Sequence, residues 1–542
     1  APWRRRSAST SSSAPSDAAR SRHSGDLPLT DSSRKPLSGR VAYGLAFLSG
    51  LLYFVAFPGI DVWALAFVAL VPLMVAMRDQ TPKRAAGLGW MAGFTMTMAG
   101  FYWLLGMLKT FSGFPTVICL LFMAILCGYQ GGRVALLGYL YGRSATRGWG
   151  KELSFVLAFI ASELVYPLLF PWYFGATVHQ VPALTQIAEL GNPIAVGLTL
   201  VAANFAFAEL VYSRLDRRPI RPRYLAICLA VPAFSALYGA IRIRQVDAQV
   251  AAAPKGQVGA VQANMSLMGK RNDPGEGLRR HYELTQRLKA QGPLDLVVWS
   301  ETSVMGSVPE DEVSTVYPNR FTRIIGVPLV FGAVLYRPVE DARRYALFNS
   351  ALITDKNGEV RGRFDKTFLL AFGEYLPLGD TFPVLYDWSP NTGKFTPGTS
   401  LAALPLDGHK VSVDICYEDV TPSFIDKMMR ADPGQLLVNI TNDAWFGDST
   451  EPWIHLALAK FRAIEQRRYL VRSTNSGVSA LIDPVGRVVA HTGTFREDSL
   501  RGQIAWLDGT TPYRLWGDAP WWLATLAAVV LSIRRRTPKT AA

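Results

Sequence analysis

The sequence predicts a polytopic α-helical membrane bundle joined to an α/β domain. The chain has 542 residues, of which 49% are hydrophobic and 18% are charged, a balance that is unusual for a purely soluble protein. Apolar stretches approaching the length of about 20 residues needed to cross a bilayer core recur through the first half. Between residues 245 and 512, short β-rich runs alternate with helical patterns near 276–290 and 453–467, which is typical of an α/β domain.

Eight membrane spans are predicted from the apolar stretches. They lie near residues 42–58, 62–77, 86–108, 115–141, 153–173, 192–212, 224–241 and 519–533. Pro58-Gly59-Ile60-Asp61 is a tight turn between the first two, and Asn192-Pro193 offers a capping residue and an initial proline for the sixth. Residues 1–40, rich in Ser, Arg, Ala and Pro, are predicted to form a disordered tail.

The basic residues that flank these spans gather on one side of the predicted bundle. They are Arg34, Lys35 and Arg40 before span one, Arg78, Lys83 and Arg84 after span two, Arg143, Arg147 and Lys151 after span four, Arg214, Arg217, Arg218, Arg221 and Arg223 after span six, and Arg534, Arg535, Arg536 and Lys539 after the last. The alternate loops carry only Lys109. The positive-inside rule therefore makes the basic side cytoplasmic, and orientation in a bilayer, rather than nucleic-acid binding, accounts for the formal charge of +14.

Four domains follow from this topology. Residues 1–40 are the tail, 41–244 a seven-helix transmembrane domain, 245–512 an extracytoplasmic domain, and 513–542 a last transmembrane helix with a basic cytoplasmic tail. Both termini are then cytoplasmic.

Cys416 is the only cysteine of the polar half and directly follows the apolar run Val411–Ile415. The other three, Cys119, Cys127 and Cys228, fall inside predicted spans. Without a partner in its own domain, Cys416 is either an inert buried thiol or a nucleophile.

Motifs along most of the chain resemble a known family. They are Val261-Gln262-Ala263-Asn264, Trp299-Ser300-Glu301, Phe348-Asn349-Ser350, Phe364-Asp365-Lys366, Phe372-Gly373-Glu374-Tyr375, Ile415-Cys416-Tyr417-Glu418, Thr441-Asn442-Asp443-Ala444-Trp445-Phe446-Gly447, Arg462-Ala463-Ile464-Glu465 and Thr474-Asn475-Ser476-Gly477, with Phe101-Tyr102-Trp103, Phe170-Pro171-Trp172 and Gln186-Ile187-Ala188-Glu189-Leu190 in the spans. Their order and spacing resemble the carbon–nitrogen hydrolase (nitrilase) superfamily and, within it, the membrane-embedded apolipoprotein N-acyltransferases. The resemblance implies a nitrilase-like αββα sandwich inserted between helices seven and eight.

The resemblance implies a catalytic set of Glu301 as general base, Lys366 as stabiliser of the oxyanion and Cys416 as nucleophile. The chemistry of the residues is consistent with it, because a thiol with a pKa of ~8.5 is only a few per cent thiolate at neutral pH and needs a base or a cation nearby. Glu301 can accept the thiol proton, and Lys366 favours both the thiolate and the oxyanion.

Further residues are expected near this set. The resemblance implies that Glu374 orients the lysine and that Tyr417 and Glu418 shape the site, although a salt-bridged loop residue is the plainer interpretation of Glu374. Trp445, Phe446 and Asn349 are expected to contact substrate. Trp445 and Phe446 either form an apolar lid for a lipid chain or plug the domain core. No spacing of the six histidines predicts a metal site, and no cofactor is predicted.

The family implies acyl transfer in two steps. Cys416 takes an acyl chain from a membrane phospholipid, typically phosphatidylethanolamine, as a thioester, and the α-amine of a diacylglyceryl-cysteine on an apolipoprotein then accepts it. A monomer in the bacterial inner membrane, with its catalytic domain on the periplasmic side, is expected. The alternatives are a membrane-tethered amidase using the same three residues, and a transporter or lipid-binding scaffold with an inactive hydrolase domain.

Two features depart from simple expectation. Arg133 and Glu163 are charged residues inside predicted spans, where they either pair with each other or contact a lipid headgroup. In the plainer interpretation, Arg133 snorkels to the cytoplasmic edge and Glu163 hydrogen-bonds within the bundle. Ser300 stands where the family usually has proline, and Leu370-Ala371 stands where a Val-Pro pair is common.

Overall fold

The structure is a computed structural model that describes residues 36–266, 273–339, 345–371, 373–376, 378–388 and 392–537. Most of the predicted tail over residues 1–40 lies outside these ranges, as do Phe372 of one motif and Lys539 of the last basic cluster.

Helices dominate the first part of the described chain and return at its end. They are α1 (Gly39–Val55), α2 (Val71–Met77), α3 (Pro82–Gly100), α4 (Leu104–Ser112), α5 (Thr116–Thr146), α6 (Lys151–Val165), α7 (Pro182–Thr185), α8 (Ala188–Leu215) and α9 (Pro222–Ala252), with 3-10 turns at Trp63–Phe67 and Phe174–Val178 and two late helices at Pro512–Trp516 and Ala519–Ile533. We call this set the helical part. Asn192, with φ of 56°, breaks α8 and accepts a hydrogen bond of 2.8 Å from the Ile194 N–H, as expected of a capping residue before Pro193.

The predicted count of eight spans is not confirmed. Among the described residues, α5, α8 and α9 are long and apolar enough to cross a membrane, and α3 with α4, bent by 63°, would make a fourth. Shorter apolar helices occupy Gly39–Val55, Trp63–Met77 and Ala519–Ile533. The fifth predicted span is wrong in extent, because α6 ends at Val165 and residues 166–173 are irregular. Pro167 and Pro171 explain this end, since the residue before a proline avoids the helical conformation.

Arg133 and Glu163, the two charged residues noted inside predicted spans, pair with each other. Arg133 Nη1 lies 3.1 Å from Glu163 Oε1, and the side chains are 4% and 3% exposed. The snorkelling interpretation of Arg133 is therefore wrong, because its guanidinium stays inside the bundle. Glu163 also accepts a hydrogen bond from the Phe174 N–H at 3.2 Å.

Thirteen strands form two sheets in the described part of residues 255–505, which we call the sandwich. The strands are β1 (Lys255–Gln262), β2 (Leu296–Val298), β3 (Val304–Pro309), β4 (Leu329–Pro338), β5 (Tyr345–Thr354), β6 (Val360–Asp365), β7 (Leu404–Leu406), β8 (His409–Ile415), β9 (Leu436–Thr441), β10 (Tyr469–Thr474), β11 (Ala480–Ile482), β12 (Val488–His491) and β13 (Asp498–Ala505). The first sheet has the order β13-β1-β2-β4-β5-β6 with β3 beside β4, and the second the order β12-β11-β10-β9-β8-β7.

The central strands are buried on both faces, and the sandwich has four layers. Val258 and Ala260 of β1 share an apolar core with Val413 and Val438 of the second sheet, so these faces pack on each other. Val261 instead packs with Leu284 and Leu288 of the helix Pro274–Ala290. On the other outer face, β10 packs against the helices Pro422–Ala431 and Glu451–Gln466. The α/β prediction is confirmed, and the layer order is helix, sheet, sheet, helix.

Strand direction gathers loop residues at one edge. β1, β2 and β4 are parallel, and so are β8, β9 and β10. Glu301, Lys366 and Cys416 each follow the end of a strand, at β2, β6 and β8 respectively. The two parts also touch directly, since Arg467 at the end of the helix Glu451–Gln466 donates to Glu189 of α8 at 2.8 Å.

Candidate active site

Cys416 stands at a sharp turn between β8 and a 3-10 turn over Cys416–Val420. Its φ is 58°, a left-handed conformation that costs a non-glycine residue about 1 to 2 kcal/mol and persists only where the surroundings fix it. Asn439 of β9 donates a hydrogen bond of 3.0 Å to the Cys416 carbonyl. The side chain is 4% exposed.

Two carboxylates and one ammonium meet beside this cysteine. Lys366 Nζ lies 2.8 Å from Glu374 Oε2 and 3.5 Å from Glu301 Oε1. The Asn349 amide nitrogen donates to Glu301 Oε1 at 2.7 Å and to Glu374 Oε1 at 2.8 Å. The structure thus brings Glu301, Lys366, Glu374 and Asn349 into one buried group.

The charges of this group act on the thiol in opposite directions. Burial raises the pKa of Cys416 well above its ordinary value, and Glu301 adds to the rise, whereas Lys366 lowers it. Burial alone would lower the pKa of Lys366. The negative charge of Glu374, with smaller contributions from Cys416 and Glu301, reverses this and holds that pKa well above its usual value. Burial thus favours the neutral thiol and Glu374 favours the charged lysine beside it, so a base is needed to form the thiolate.

Glu418 links the segments that carry the lysine and the cysteine. Its carboxylate accepts from the backbone N–H of Thr367 at 2.7 Å, of Phe368 at 2.9 Å and of Ile415 at 2.8 Å. Burial raises its pKa to about 7, against the lowering effect of these hydrogen bonds. Glu418 therefore fixes the spacing between Lys366 and Cys416.

Aromatic side chains from both parts of the molecule cover the residue next to Cys416. The ring of Tyr417 lies 5.7 Å from that of Phe446 and 6.0 Å from that of Phe170, and the Phe446 ring lies 5.1 Å from that of Trp103. Trp103 and Phe170 belong to the helical part. Phe446 is buried and Trp445 is half-buried, so these two neighbours in sequence differ in environment. The Tyr417 hydroxyl donates to Glu451.

An ionic network that the sequence did not predict lies behind the cysteine. Arg472 of β10 donates to Asp419 at 2.8 Å, to Asp443 at 3.1 Å and to the Asn439 side-chain oxygen at 2.7 Å. His455 bridges the same two aspartates, at 2.8 and 3.1 Å. An arginine in the middle of a buried strand was the available signal, because such a charge requires partners.

Three members of this region have the residue types of a metal site. The ligand atoms of Asp443, Glu451 and His455 lie within 4.8 Å of one another. Both ring nitrogens of His455 already contact carboxylates, and Arg472 supplies a cation to Asp443. The donor set is thus engaged in protein contacts and does not fit a resident metal ion.

Comparison with known proteins agrees with the architecture. The family model of the apolipoprotein N-acyltransferase N-terminal domain matches residues 49–206, and that of carbon-nitrogen hydrolase matches residues 257–508. The apolipoprotein N-acyltransferase of Azotobacter vinelandii is 30% identical over 92% of this chain and 96% of its own length. The chain belongs to the apolipoprotein N-acyltransferase family. Similar proteins of that name in Geobacter metallireducens and Bradyrhizobium diazoefficiens are 29% and 32% identical over 91% and 72% of this chain, and over 96% and 75% of their own.

Membership in the apolipoprotein N-acyltransferase family confirms the resemblance seen in the motifs and makes the chain an acyltransferase enzyme. The carbon-nitrogen hydrolase match coincides with the sandwich, and the N-terminal match falls within the helical part. Of the departures from the family pattern, Ser300 is buried with its hydroxyl 3.5 Å from His281, and the Leu370 N–H donates to Glu374 at 2.8 Å. Leu370 therefore contacts the carboxylate that pairs with Lys366.

Proposed function

We propose that the enzyme moves a fatty acyl chain from a membrane phospholipid, phosphatidylethanolamine being the expected donor, to the α-amine of a diacylglyceryl-cysteine on an apolipoprotein. The names of the relatives support this reaction class. The observation that carries the mechanism is the Lys366 ammonium held between Glu301 and Glu374 beside a buried thiol.

The first half-reaction forms a thioester. Glu301 takes the Cys416 proton, and the sulfur attacks the ester carbonyl of the phospholipid. Lys366 stabilises the oxyanion of the tetrahedral intermediate. The bond from carbon to the glycerol oxygen then breaks, Glu301 returns the proton to that oxygen, and lysophospholipid leaves.

The second half-reaction uses the same residues. The α-amine of the acceptor attacks the thioester carbonyl while Glu301 takes one amine proton. The carbon–sulfur bond breaks, and the thiolate recovers the proton. Water that competed with the amine would waste the acyl chain, and the aromatic cover over Tyr417 supports a site from which water is excluded.

The remaining site residues have supporting roles in this proposal. Glu374 and Asn349 orient Lys366 and Glu301, and Glu418 fixes the spacing between the lysine and the nucleophile. Asn349 remains a candidate substrate contact through the oxygen of its side-chain amide. Phe446 and Trp445 are proposed contacts for the acyl chain, and Tyr417 lies between that chain and the sulfur.

The proposed setting is the bacterial inner membrane. It comprises eight spans, with the sandwich inserted between the seventh and the eighth, residues 245–512 periplasmic and both termini cytoplasmic. The domain limits at 40, 244 and 512 belong to this proposal, as do a monomeric state and catalysis without a cofactor. The basic clusters and the apolar helices of the described chain support it.

A labelling experiment tests the proposal. Purified enzyme in detergent is incubated with phosphatidylethanolamine carrying a labelled acyl chain, and hydroxylamine-sensitive label is located by mass spectrometry. We expect label on Cys416, none in Cys416→Ser and wild-type labelling in the matched Cys228→Ser. A synthetic diacylated lipopeptide should then discharge the label as an amide.

Two results would contradict the proposal. Free fatty acid without acylated lipopeptide would favour a tethered hydrolase, and labelling of Cys416→Ser at wild-type level would exclude the thioester.

A further inference from the structure

The segment between α6 and the 3-10 turn Phe174–Val178 is irregular although it packs against the apolar core of the helical part. Irregular backbone in such surroundings needs side chains to satisfy its N–H and C=O groups. Gln130 of α5 supplies two of these contacts. Its amide oxygen accepts from the Leu169 N–H, and its amide nitrogen donates to the Phe170 carbonyl, both at 2.8 Å.

The buried ion pair serves the same segment. Arg133 donates to the Trp172 carbonyl as well as to Glu163, and Glu163 accepts from the Phe174 N–H. Burying two charges costs several kcal/mol per ion, and the attraction between them offsets this only with further hydrogen bonds. Here those further hydrogen bonds go to the backbone of residues 172 and 174. The ion pair and Gln130 therefore hold one stretch of chain from both sides of Pro171.

This stretch carries Phe170 into the candidate active site. The Phe170 ring lies 5.0 Å from the ring of Trp103, 6.0 Å from that of Tyr417 and 6.4 Å from that of Phe446. Tyr417 directly follows Cys416. The position of the Phe170 ring is thus set by polar contacts on its own and adjoining backbone, while its apolar face is part of the wall beside the nucleophile.

We propose that Gln130, Arg133 and Glu163 are positioning residues for acyl transfer, which hold Phe170 so that the acyl chain of the phospholipid is aligned with the Cys416 sulfur. The inference rests on the proposed function and adds that part of the substrate alignment originates in α5 and α6, outside the sandwich. Misalignment of reacting groups by about 1 Å can reduce a rate by a factor on the order of 100.

The test compares two buried amides that make the same contacts in different places. Asn204 of α8 accepts from the Leu70 N–H and donates to the Ala66 carbonyl, both at 2.8 Å. Gln130→Leu and Asn204→Leu therefore each remove an amide that binds two backbone groups outside the long helices, but only Gln130 holds Phe170. For each variant, the rate of label transfer from phospholipid to Cys416 is measured beside the rate of alkylation by iodoacetamide.

We expect Gln130→Leu to lower acylation by phospholipid roughly 10- to 100-fold while iodoacetamide alkylation stays within about 2-fold of wild type. Alkylation reports on Cys416, Glu301 and Lys366 without an acyl chain, so a purely structural defect would lower both rates together. Asn204→Leu should leave both rates near wild type. Phe170→Leu, which keeps every backbone contact and removes the ring, should reproduce the selective loss and decides the matter if Gln130→Leu does not fold.

The outcomes distinguish the positioning role from the proposed function. Wild-type acylation in Phe170→Leu, or equal loss of acylation and alkylation in Gln130→Leu, would overturn the positioning role alone. A wild-type enzyme that carries no acyl label on Cys416 would overturn the proposed function and this inference with it.

Discussion

The side-chain amide of Asn439 donates a hydrogen bond of 3.0 Å to the backbone carbonyl of Cys416. The same nitrogen donates to Asp414 at 2.6 Å, and the amide oxygen accepts from Arg472 at 2.7 Å. Asn439 thus connects the strained turn at the nucleophile to a buried ionic network. The triplet around Asn439 has the pattern of a glycosylation site, but the residue is fully buried in β9.

We expect Asn439→Ala to slow the reaction of Cys416 although it leaves the thiol group itself unchanged. Loss of the amide frees the Cys416 turn to relax from its left-handed conformation and leaves buried partners unsatisfied, at about 1 to 3 kcal/mol. Label transfer to Cys416 should fall at least roughly 10-fold as the sulfur moves out of line. Asn357→Ala, in an exposed turn, is the control and should change neither stability nor rate. Wild-type labelling in Asn439→Ala would show that the Cys416 turn keeps its conformation without this hydrogen bond.

The second prediction concerns the charge that favours the thiolate. Lys366 lowers the pKa of Cys416, so Lys366→Met should raise that pKa further and slow iodoacetamide alkylation at neutral pH. Acyl transfer should fall by about 100-fold or more, because the oxyanion loses its stabiliser as well. Lys410→Met removes a surface lysine whose side chain is 56% exposed and should have no effect. Equal alkylation rates in Lys366→Met and wild type would contradict the electrostatic role.

The third prediction is a dependence of alkylation on pH. Glu301 raises the pKa of the Cys416 thiol, so Glu301→Gln removes both the base and this effect. Without the base, alkylation depends on the thiolate that is already present. At pH values below the thiol pKa, this thiolate fraction rises about tenfold for each unit of increase in pH, and the alkylation rate should rise with it. Wild-type alkylation should depend less steeply on pH over pH 7 to 9. A flat profile in Glu301→Gln would mean that a different group takes the proton.

The fourth prediction is a loss of stability in alkaline solution. Burial and Arg472 lower the pKa of His455, but Asp419 and Asp443 outweigh them and raise it to about 9. A pKa raised above the ordinary 6.5 means that the imidazolium contributes stability in full below about pH 6.5 and loses it as the pH rises through 9.

Thermal unfolding between pH 6 and 10 checks this fourth prediction. His455→Gln should unfold at a lower temperature than wild type at pH 7, and its melting temperature should change less between pH 7 and 10. His491→Gln, outside the ionic network, should keep the wild-type profile. An unchanged slope in His455→Gln would assign the alkaline loss to other groups.

The fifth prediction concerns the junction of the two parts. The Glu189 carboxylate is 1% exposed and accepts from Arg467 at 2.8 Å and from Arg242 at 2.6 Å. Glu189→Gln leaves these arginines without their counter-charge, and the free energy of unfolding should fall by about 3 kcal/mol. Glu283→Gln removes an exposed partner of Arg279 and should leave the free energy of unfolding close to that of wild type, because solvent screens the pair. Similar losses in both variants would contradict the special role of the junction.

Several strands, and the positions of the three candidate catalytic residues at strand ends, were predictable because their signals are local. Val411–Ile415 and Leu436–Ile440 are short β-rich runs that predict strands, and they lie within β8 and β9. Glu301, Lys366 and Cys416 were identified by motif, and the structure places all three at strand ends of the same edge. The resemblance implies that Glu374 orients Lys366, and the structure adds the direct ion pair across the seven residues that separate them in sequence.

The network behind the cysteine could not be predicted, because it joins groups that are distant in sequence. Arg472, Asp419 and His455 come from a strand, a turn and a helix, and among them only the arginine within an apolar strand gives a signal in the sequence. The predicted extent of the fifth span was wrong for another reason. Hydropathy alone does not distinguish a continuous helix from an apolar segment in which prolines end the helix, as they do for α6 at Val165.

The contacts of Tyr417 connect the candidate nucleophile to both parts of the molecule. Its ring meets Phe170 of the helical part, its hydroxyl binds Glu451 of the sandwich, and its backbone adjoins the sulfur-bearing residue. A small rocking of one lobe on the other would reach the reacting atom through a single peptide bond. In the proposed membrane setting, a change in bilayer thickness that tilted the helical part would therefore be felt at Cys416.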